Sequence, residues 1–186
     1  MKWCVMYASD QVSYRHHLWT KGEPYESAWK PRDKLADGLA LFRKRRMRPI
    51  GVIDYEGSLH LHGGPDDGLE WEFHADLTPD QVKEKVDEAR KRKWRPTLIH
   101  RHRTDADKFA VVLVANPKGV PWEYRAPLTV KEYETALADL RGRGLRPLYV
   151  QSWIDGKNPV YSAVWVGDYQ PPAPPPERAP APRAIK

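Results

Sequence analysis

The sequence contains a single cysteine, Cys4, among its 186 residues, so it cannot form an intramolecular disulfide. This scarcity is typical of a reducing compartment. No stretch approaches the ~20 consecutive apolar residues of a membrane-spanning helix. The first ten residues also lack the apolar segment of a secretory signal peptide. These absences predict a cytoplasmic rather than a secreted protein, with no membrane partner.

Motifs for catalysis are nearly absent as well. The S-x-x-K signature of serine hydrolases occurs once, from Ser27 to Lys30, but the partner motifs S-D-N and K-T-G do not occur. We interpret the tetrapeptide as a coincidence. The sequence has no Gly-rich phosphate loop, zinc finger or RNA-recognition aromatic motif. We therefore expect neither enzymatic activity nor a cofactor.

What the sequence does contain is a repeat. Trp71–Thr78 and Trp122–Thr129 share an aromatic-Glu start and a Leu-Thr end, and a weaker copy starts at Tyr25. Shifts of 47 and then 51 residues superimpose three apolar stripes with the i, i+4, i+7 spacing of a helix. The stripes are Leu35, Leu39 and Phe42; Val82, Val86 and Ala89; and Tyr133, Leu137 and Leu140. A period near 50 residues with one helix per unit predicts a repeat architecture.

The residues that begin and end the helix of each unit also recur. Thr78 and Thr129 are predicted to be helix N-caps, because each is followed three residues later by Gln or Glu. An Arg-Pro pair ends each helix and starts a strand, since proline cannot continue a helix. These pairs begin at Arg48, Arg95 and Arg146, and each arginine is predicted to pair with a glutamate of its unit, Glu26, Glu72 or Glu123.

These signals predict an α+β fold, a tandem repeat of antiparallel β-hairpins each followed by one helix. About three and a half units are expected, at residues 1–46, 47–93, 94–144 and 145–169. Residues 170–186 are rich in proline and are predicted to be a disordered tail. The pattern leaves open whether the units close into a ring or stack openly.

The recurring motif resembles the bacterial tandem repeat domain. The resemblance is carried by Gly144-Leu145-Arg146-Pro147, by Tyr161–Trp165 and by Trp122–Thr129, and it extends over residues 1–169. It implies an accessory, non-catalytic region, as in the repeats that precede the hydrolase domain of polyglycine hydrolases or accompany other multidomain bacterial proteins. The first copy departs from the family pattern, because Tyr25 replaces the tryptophan and Leu-Thr is absent.

Two histidine pairs raise the question of a metal site. His60 and His62, and likewise His100 and His102, alternate along a strand and so share one face. Imidazole nitrogens suit Zn²⁺, but no thiolate or carboxylate recurs beside them at fixed spacing. We therefore predict solvated polar strand faces and no metal.

The candidate ligand surface comprises helix-end cations and recurring tryptophans: Arg45, Arg92, Arg143, Trp71 and Trp122. With a formal net charge of +6, the cations permit nucleic-acid or other polyanion binding. Cations at helix C-termini also complement the helix macrodipole, which explains their recurrence without a ligand. The favoured interpretation is a binding or scaffolding module for a protein or peptide partner. Polyanion binding is the alternative, and a serine hydrolase is the least favoured.

Overall fold

The computed structural model describes residues 26–31, 35–55, 58–103, 105 and 107–167. The predicted first hairpin, within residues 1–20, and the predicted proline-rich tail, residues 170–186, lie outside this part of the chain.

The described residues form three modules, each with the order strand, helix, strand, strand. Module 1 contains β1 (Glu26–Pro31), α1 (Leu35–Lys44), β2 (Met47–Tyr55) and β3 (Ser58–Pro65). Module 2 contains β4 (Trp71–Leu77), α2 (Pro79–Lys91), β5 (Trp94–Arg101) and β6 (Phe109–Ala115). Module 3 contains β7 (Trp122–Thr129), α3 (Val130–Gly142), β8 (Leu145–Asp155) and β9 (Asn158–Gly167).

Each module has its own three-stranded antiparallel sheet, in which the last strand of the module is central. The strand orders are β1-β3-β2, β4-β6-β5 and β7-β9-β8. The two outer strands run parallel to each other, because both are antiparallel to the strand between them. The helix connects these outer strands, as in a split βαβ unit. The predicted α+β class, with tandem antiparallel strands, is confirmed.

The grouping of each hairpin with the helix after it was wrong. The helix follows the first strand of its sheet, and the hairpin then completes that sheet. A periodic sequence fixes the spacing of elements but not the point at which one unit ends. That point depends on strand pairing: β4 pairs with β6, which follows it, and not with the preceding hairpin.

The predicted helix caps are confirmed. Thr78 Oγ1 accepts a hydrogen bond from the Gln81 amide at 3.3 Å, and Gln81 Oε1 accepts one from the Thr78 amide at 2.8 Å. Thr129 and Glu132 form the same reciprocal pair at 3.3 and 2.8 Å. The Thr129 amide and hydroxyl lower the pKa of Glu132 by hydrogen bonding to its carboxylate.

The ends of the three helices share a left-handed residue. Arg46, Lys93 and Gly144 occupy equivalent positions with φ of 55°, 56° and 79°. Glycine adopts this conformation without a Cβ penalty, whereas the two cationic residues adopt it at a steric cost. Gly144 supplies this left-handed residue after α3, and Gly142 is the last residue of that helix.

The glycine- and proline-rich composition of residues 63–68 predicts a loop, and this prediction is partly wrong, because β3 continues through Pro65. A Cβ built on Gly63 would lie 2.9 Å from the Phe42 ring, and one on Gly64 would lie 2.9 Å from Ile50. Here the glycines allow close packing, of Gly63 against α1 and of Gly64 against β2, and do not mark a turn. Composition alone could not distinguish these two uses.

Each sheet has a helix face, which packs on the helix of its own module, and an opposite face. In module 2 the opposite face is a junction face, because it packs on the helix face of module 1. In β6 the helix face carries Phe109, Val111 and Leu113, which cluster with α2. The junction face carries Ala110, Val112 and Val114, which form one cluster with module 1. All six side chains are buried, as expected for the central strand of a sheet that is covered on both faces. Successive modules therefore share a continuous apolar interior.

Among the described residues, no helix is long and apolar enough to cross a membrane.

Candidate binding surface at the module junctions

The two module junctions are each marked by an arginine stacked on a tryptophan. The guanidinium of Arg43, in the last turn of α1, lies 4.5 Å from the ring centroid of Trp71. That of Arg90, in the last turn of α2, lies 4.2 Å from the ring centroid of Trp122. Each pair joins the helix end of one module to the first strand of the next. Such stacking is worth about 0.5–1 kcal/mol at exposed sites.

The first junction carries a second stacked arginine. Arg92 Nη2 and Nη1 donate to the two carboxylate oxygens of Glu72 at 2.7 and 3.2 Å. The Arg92 guanidinium also lies 4.4 Å from the ring centroid of Trp94. The hydrogen bonds from Arg92 lower the pKa of Glu72, although partial burial opposes them. The pair fixes the Arg92 side chain across the aromatic surface.

At the equivalent positions of module 3 the side chains make different contacts. Leu145 replaces Trp94, so the stack of Arg92 on an indole has no counterpart there. Glu123 lies 3.9 Å from both Arg90 and Arg125, and Arg143 lies 3.7 Å from Asp139. Arg143 is therefore held by its own helix, one turn back along the chain.

An open cleft of about 530 Å³ lies at the first junction. Its walls contain both tryptophans of that junction together with cations and carboxylates. The lining residues are Arg43, Arg46, Asp66, Gly68, Leu69, Glu70, Trp71, Glu72, Arg92 and Trp94. Aromatic surface beside groups of both charge signs suits a peptide segment better than a uniform polyanion, since the carboxylates would repel the latter.

The predicted surface residues do not all meet in one place. Trp71 and Arg92 line the cleft at the first junction, whereas Trp122 lies half-buried at the second. Arg92 and Arg143 are the C-cap residues of α2 and α3, and Arg45 is exposed directly after α1. That these residues bind a ligand stays a prediction.

The predicted Arg–Glu pairs were wrong in the modules where they can be examined. Glu72 pairs with Arg92 and not with Arg95, and Glu123 lies nearest Arg90 and Arg125. Arg48 pairs with Asp67. The reason is geometric: Glu72 and Arg95 lie on the two outer strands of a sheet, with β6 between them.

His60 and His62 lie on β3 and His100 lies on β5, whereas His102 directly follows β5. The rings of His60 and His62 are 4.6 Å apart, and those of His100 and His102 are 6.4 Å apart. His62 and His102 are buried, so the prediction of solvated polar faces is wrong for these two side chains. His100 Nδ1 hydrogen-bonds the Tyr149 hydroxyl at 2.8 Å across the second junction. Within the described ranges, no three His, Cys, Asp or Glu side chains are placed to hold a metal ion.

The S-x-x-K tetrapeptide lies on β1, paired with β3. The serine hydrolase signature places its Ser and Lys on a helix, whereas Ser27–Lys30 belongs to a strand.

Sequence reasoning missed several junction residues. Arg43 and Arg90 recur at one helix position, but their partners Trp71 and Trp122 lie in the next module, so a search within one unit does not pair them. A signal that could have found them was present in the sequence: the arginine recurs after 47 residues and the tryptophan after 51, the two shifts that superimpose the helices. Gln151, whose side-chain amide bonds both the backbone amide and the carbonyl of Arg101 at 2.6 and 2.8 Å, left no repeated signal.

The fold and its junctions define a tandem repeat protein of strand–helix–hairpin modules. Residues 68–115 and 119–167 each match the sequence model of the polyglycine hydrolase-like structural repeat. Together the two matches cover just over half of the chain, and the chain belongs to this family. They coincide with modules 2 and 3. Searches of curated proteins and of solved structures found no match.

Proposed function

We propose that this chain is a non-catalytic binding or scaffolding module that serves as an accessory to a hydrolase or another enzyme. The observation that carries the proposal is the cleft at the first junction, where Trp71, Trp94 and Arg92 meet between two modules. Sites formed between repeated modules provide extended surfaces for protein partners. The partner we propose is a peptide segment or the surface of a protein.

The chemistry of the cleft supports this kind of partner. Arg92 is already oriented by two hydrogen bonds to Glu72 and by the Trp94 ring, so little side-chain entropy is lost when a partner binds. Tryptophan and arginine are the residues that most often dominate binding energy in protein interfaces. Module 3 carries Leu145 in place of Trp94, and so offers a natural comparison.

The proposal is tested by selecting peptides from a random display library on the purified protein and measuring their affinity by fluorescence anisotropy. Trp94→Leu introduces the residue that module 3 carries, and it should weaken binding at least about 30-fold, a hot-spot effect of 2 kcal/mol or more. Arg143→Gln is the matched control for Arg92→Gln and should leave affinity unchanged. Peptides that bind both Trp94→Leu and Arg92→Gln as tightly as the parent protein would refute the site.

Catalysis by this chain is the opposing proposal, and it has a direct assay. The purified protein should not turn over ester, β-lactam or Gly-rich peptide substrates. Turnover that is lost in Ser27→Ala would make the chain a hydrolase.

Polyanion binding stands as the second candidate because Arg45 and Arg143 are exposed at helix ends. Against it, Arg43, Arg90 and Arg92 already lie on tryptophan rings. Replacing Arg45, Arg92 and Arg143 together with Gln decides between the candidates. Loss of DNA or RNA binding at ~150 mM salt, with an affinity that falls linearly with log salt, would favour the polyanion function.

A further inference from the structure

The two junctions differ in whether a carboxylate of the protein reaches the stacked arginine. At the second junction, Glu123 Oε2 lies 3.9 Å from Nη2 of Arg90. The equivalent glutamate of the first junction, Glu72, pairs instead with Arg92 of its own module at 2.7 Å. Arg43 is equivalent to Arg90, and no ion pair joins it to any carboxylate of the described residues. The first junction thus lacks a group that the second junction contains.

Stacking holds Arg43 at the wall of the cleft. Its guanidinium lies over the buried Trp71 ring, 4.5 Å from the ring centroid, while the arginine itself is exposed to solvent. A guanidinium that stacks through its face keeps its N–H donors at the edge, where they match the two oxygens of a carboxylate. Because the ring restricts this side chain, little rotamer entropy is lost when an acceptor binds.

Arg46 adds a second cation to the same wall. It follows α1 with φ of 55°, and its carbonyl accepts a hydrogen bond from the Asp66 amide at 2.9 Å, which anchors the backbone beside the cleft. The side chain is exposed and lines the cleft together with Arg43. In the part of the chain that the structure describes, it forms no ion pair. The wall at the end of α1 therefore carries two cations whose charge is not paired.

The carboxylates of the cleft are engaged elsewhere or lie on the module 2 side. Both carboxylate oxygens of Glu72 accept hydrogen bonds from Arg92. Asp66 Oδ1 accepts a hydrogen bond from the Gly68 amide at 3.2 Å. Glu70 is exposed, and its carbonyl accepts a hydrogen bond from β6 at 2.8 Å, which places it beside β4. The cleft is thus polarised, with unpaired positive charge at the end of α1 and negative charge along β4.

We propose that the cleft at the first junction binds a peptide through a carboxylate group that Arg43 and Arg46 receive. This ligand group takes the place that Glu123 occupies beside Arg90 at the second junction. The inference rests on the proposed function, because it names the chemistry of the peptide segment that the cleft accepts. The carboxylate belongs either to an Asp or Glu side chain or to the C-terminus of the partner. Glu70 on the other side of the cleft repels further acidic groups, so a peptide with a single carboxylate is favoured over a polyanion.

The probe is a set of short peptide mixtures with N-terminal acetyl groups, randomised without Asp, Glu or Cys around one fixed central position. The first mixture has Glu at the centre and an amidated C-terminus. The second has Gln and an amidated C-terminus, and the third has Gln and a free C-terminal carboxylate. Each is passed over the immobilised full chain at ~150 mM salt, which weakens unspecific attraction between exposed charges.

The retained amounts identify the source of the carboxylate. Retention of the first mixture above the second shows recognition of an acidic side chain. Retention of the third above the second shows recognition of a C-terminal carboxylate. Equal retention of all three mixtures would overturn the inference.

The affinity of the most strongly retained peptide is then measured by fluorescence anisotropy. Arg43→Gln should weaken binding about 10-fold or more, as expected for a lost charge-assisted hydrogen bond, and Arg46→Gln should act in the same direction. Arg90→Gln changes the equivalent stacked arginine of the second junction, and it should bind the peptide as the parent does. Unchanged affinity in both Arg43→Gln and Arg46→Gln would overturn the inference.

A charge exchange separates recognition from a purely structural role of Arg43. The variant Arg43→Glu should bind the retained peptide more weakly than the parent does. It should prefer a peptide that carries a lysine side chain in place of the recognised carboxylate, and the parent should have the opposite preference. A variant that loses affinity for both peptides alike would show that Arg43 only shapes the cleft, and the inference would be rejected.

Trp94→Leu distinguishes a failure of this inference from a failure of the proposed function. Peptides that depend on Trp94 but are indifferent to the carboxylate and to Arg43 would leave the cleft as a peptide site and overturn the carboxylate inference alone. No retention of any mixture would overturn both.

Discussion

Modules 2 and 3 share one order of elements but fill their helix faces in different ways. In module 2, Val82, Phe109 and Leu113 form the face, and module 3 adds Val164 and Trp122 to the same cluster. In module 3 the equivalent positions carry Tyr133, Tyr161 and Trp165. These larger residues pack on one another, and among the described residues their cluster contains module 3 side chains alone.

The aromatic side chains of module 3 pack directly against one another. Tyr133 stacks on Tyr161 at 4.9 Å between ring centroids and lies 6.1 Å from the Trp165 ring. Trp165 is completely buried. Aromatic rings bury more area per residue than aliphatic side chains do. One fold thus covers an apolar face either with a neighbouring module or with larger side chains of its own.

Removing the largest of these side chains should have the largest effect. Trp165→Ala should lower the free energy of unfolding by about 3–5 kcal/mol, because it deletes a fully buried indole and leaves a cavity. Urea denaturation followed by far-UV circular dichroism measures the change. Ile154→Ala, at the most exposed large apolar side chain described, is the control and should change stability by less than about 0.5 kcal/mol. A loss below 1 kcal/mol for Trp165→Ala would contradict this difference between the modules, since the stability of module 3 would then not depend on its own aromatic side chains.

The capping boxes should contribute equally in the two modules. Thr78→Ala and Thr129→Ala should each cost about 0.5–2 kcal/mol, because each leaves helix N-terminal amides without an acceptor. Urea denaturation of both variants gives the values. Thr135→Ala removes a threonine from the middle of α3, where alanine has the better helix propensity, and should not destabilise the protein. Unchanged stability in both cap variants would contradict the boundaries of α2 and α3.

The junction stack should be measurable as a coupling. A double-mutant cycle of Arg90→Met and Trp122→Leu should give a coupling energy of about 0.5–1 kcal/mol. Arg141 is equivalent to Arg90 in module 3 and is exposed, so Arg141→Met should leave stability unchanged. Strict additivity of the Arg90 and Trp122 changes would show that the stack contributes no coupling energy to stability.

The smallest expected effect is the pH dependence of the Glu72–Arg92 pair. Because the folded pKa of Glu72 is lowered, the pair contributes stability above the unfolded value of roughly 4.3. That contribution is lost as the pH falls through the lower, folded pKa. Urea midpoints measured across this acidic range should therefore fall less steeply in Glu72→Gln than in the parent. Glu134→Gln, which leaves the pair intact, should follow the parent, and identical slopes in all three proteins would exclude the effect.

The periodic signals were sufficient to predict much of the fold. The helix stripes, the capping threonines and the strand-starting Arg-Pro pairs depend on local geometry, so a correctly read local pattern predicts the element. Trp71, one of the recurring tryptophans, is buried. The repeated motif also indicated the family to which the chain belongs. The candidate site was predicted less well: of the residues at its centre, Trp71 and Arg92 were predicted, but Arg43 and Trp94 were missed.

Sequence alone was enough to predict the period of this protein, the type of most of its elements and the residues that end each helix. Those properties depend on contacts within a few residues along the chain, where proline geometry, caps and apolar spacing act directly. The tertiary structure was needed to establish which strands share a sheet, which arginine pairs with Glu72, and where one module ends. Those outcomes depend on contacts between segments about 20 to 50 residues apart, as Arg92–Glu72 and Tyr149–His100 illustrate. A repeated pattern offers several equivalent partners for each residue, and packing across the sheets selects one of them.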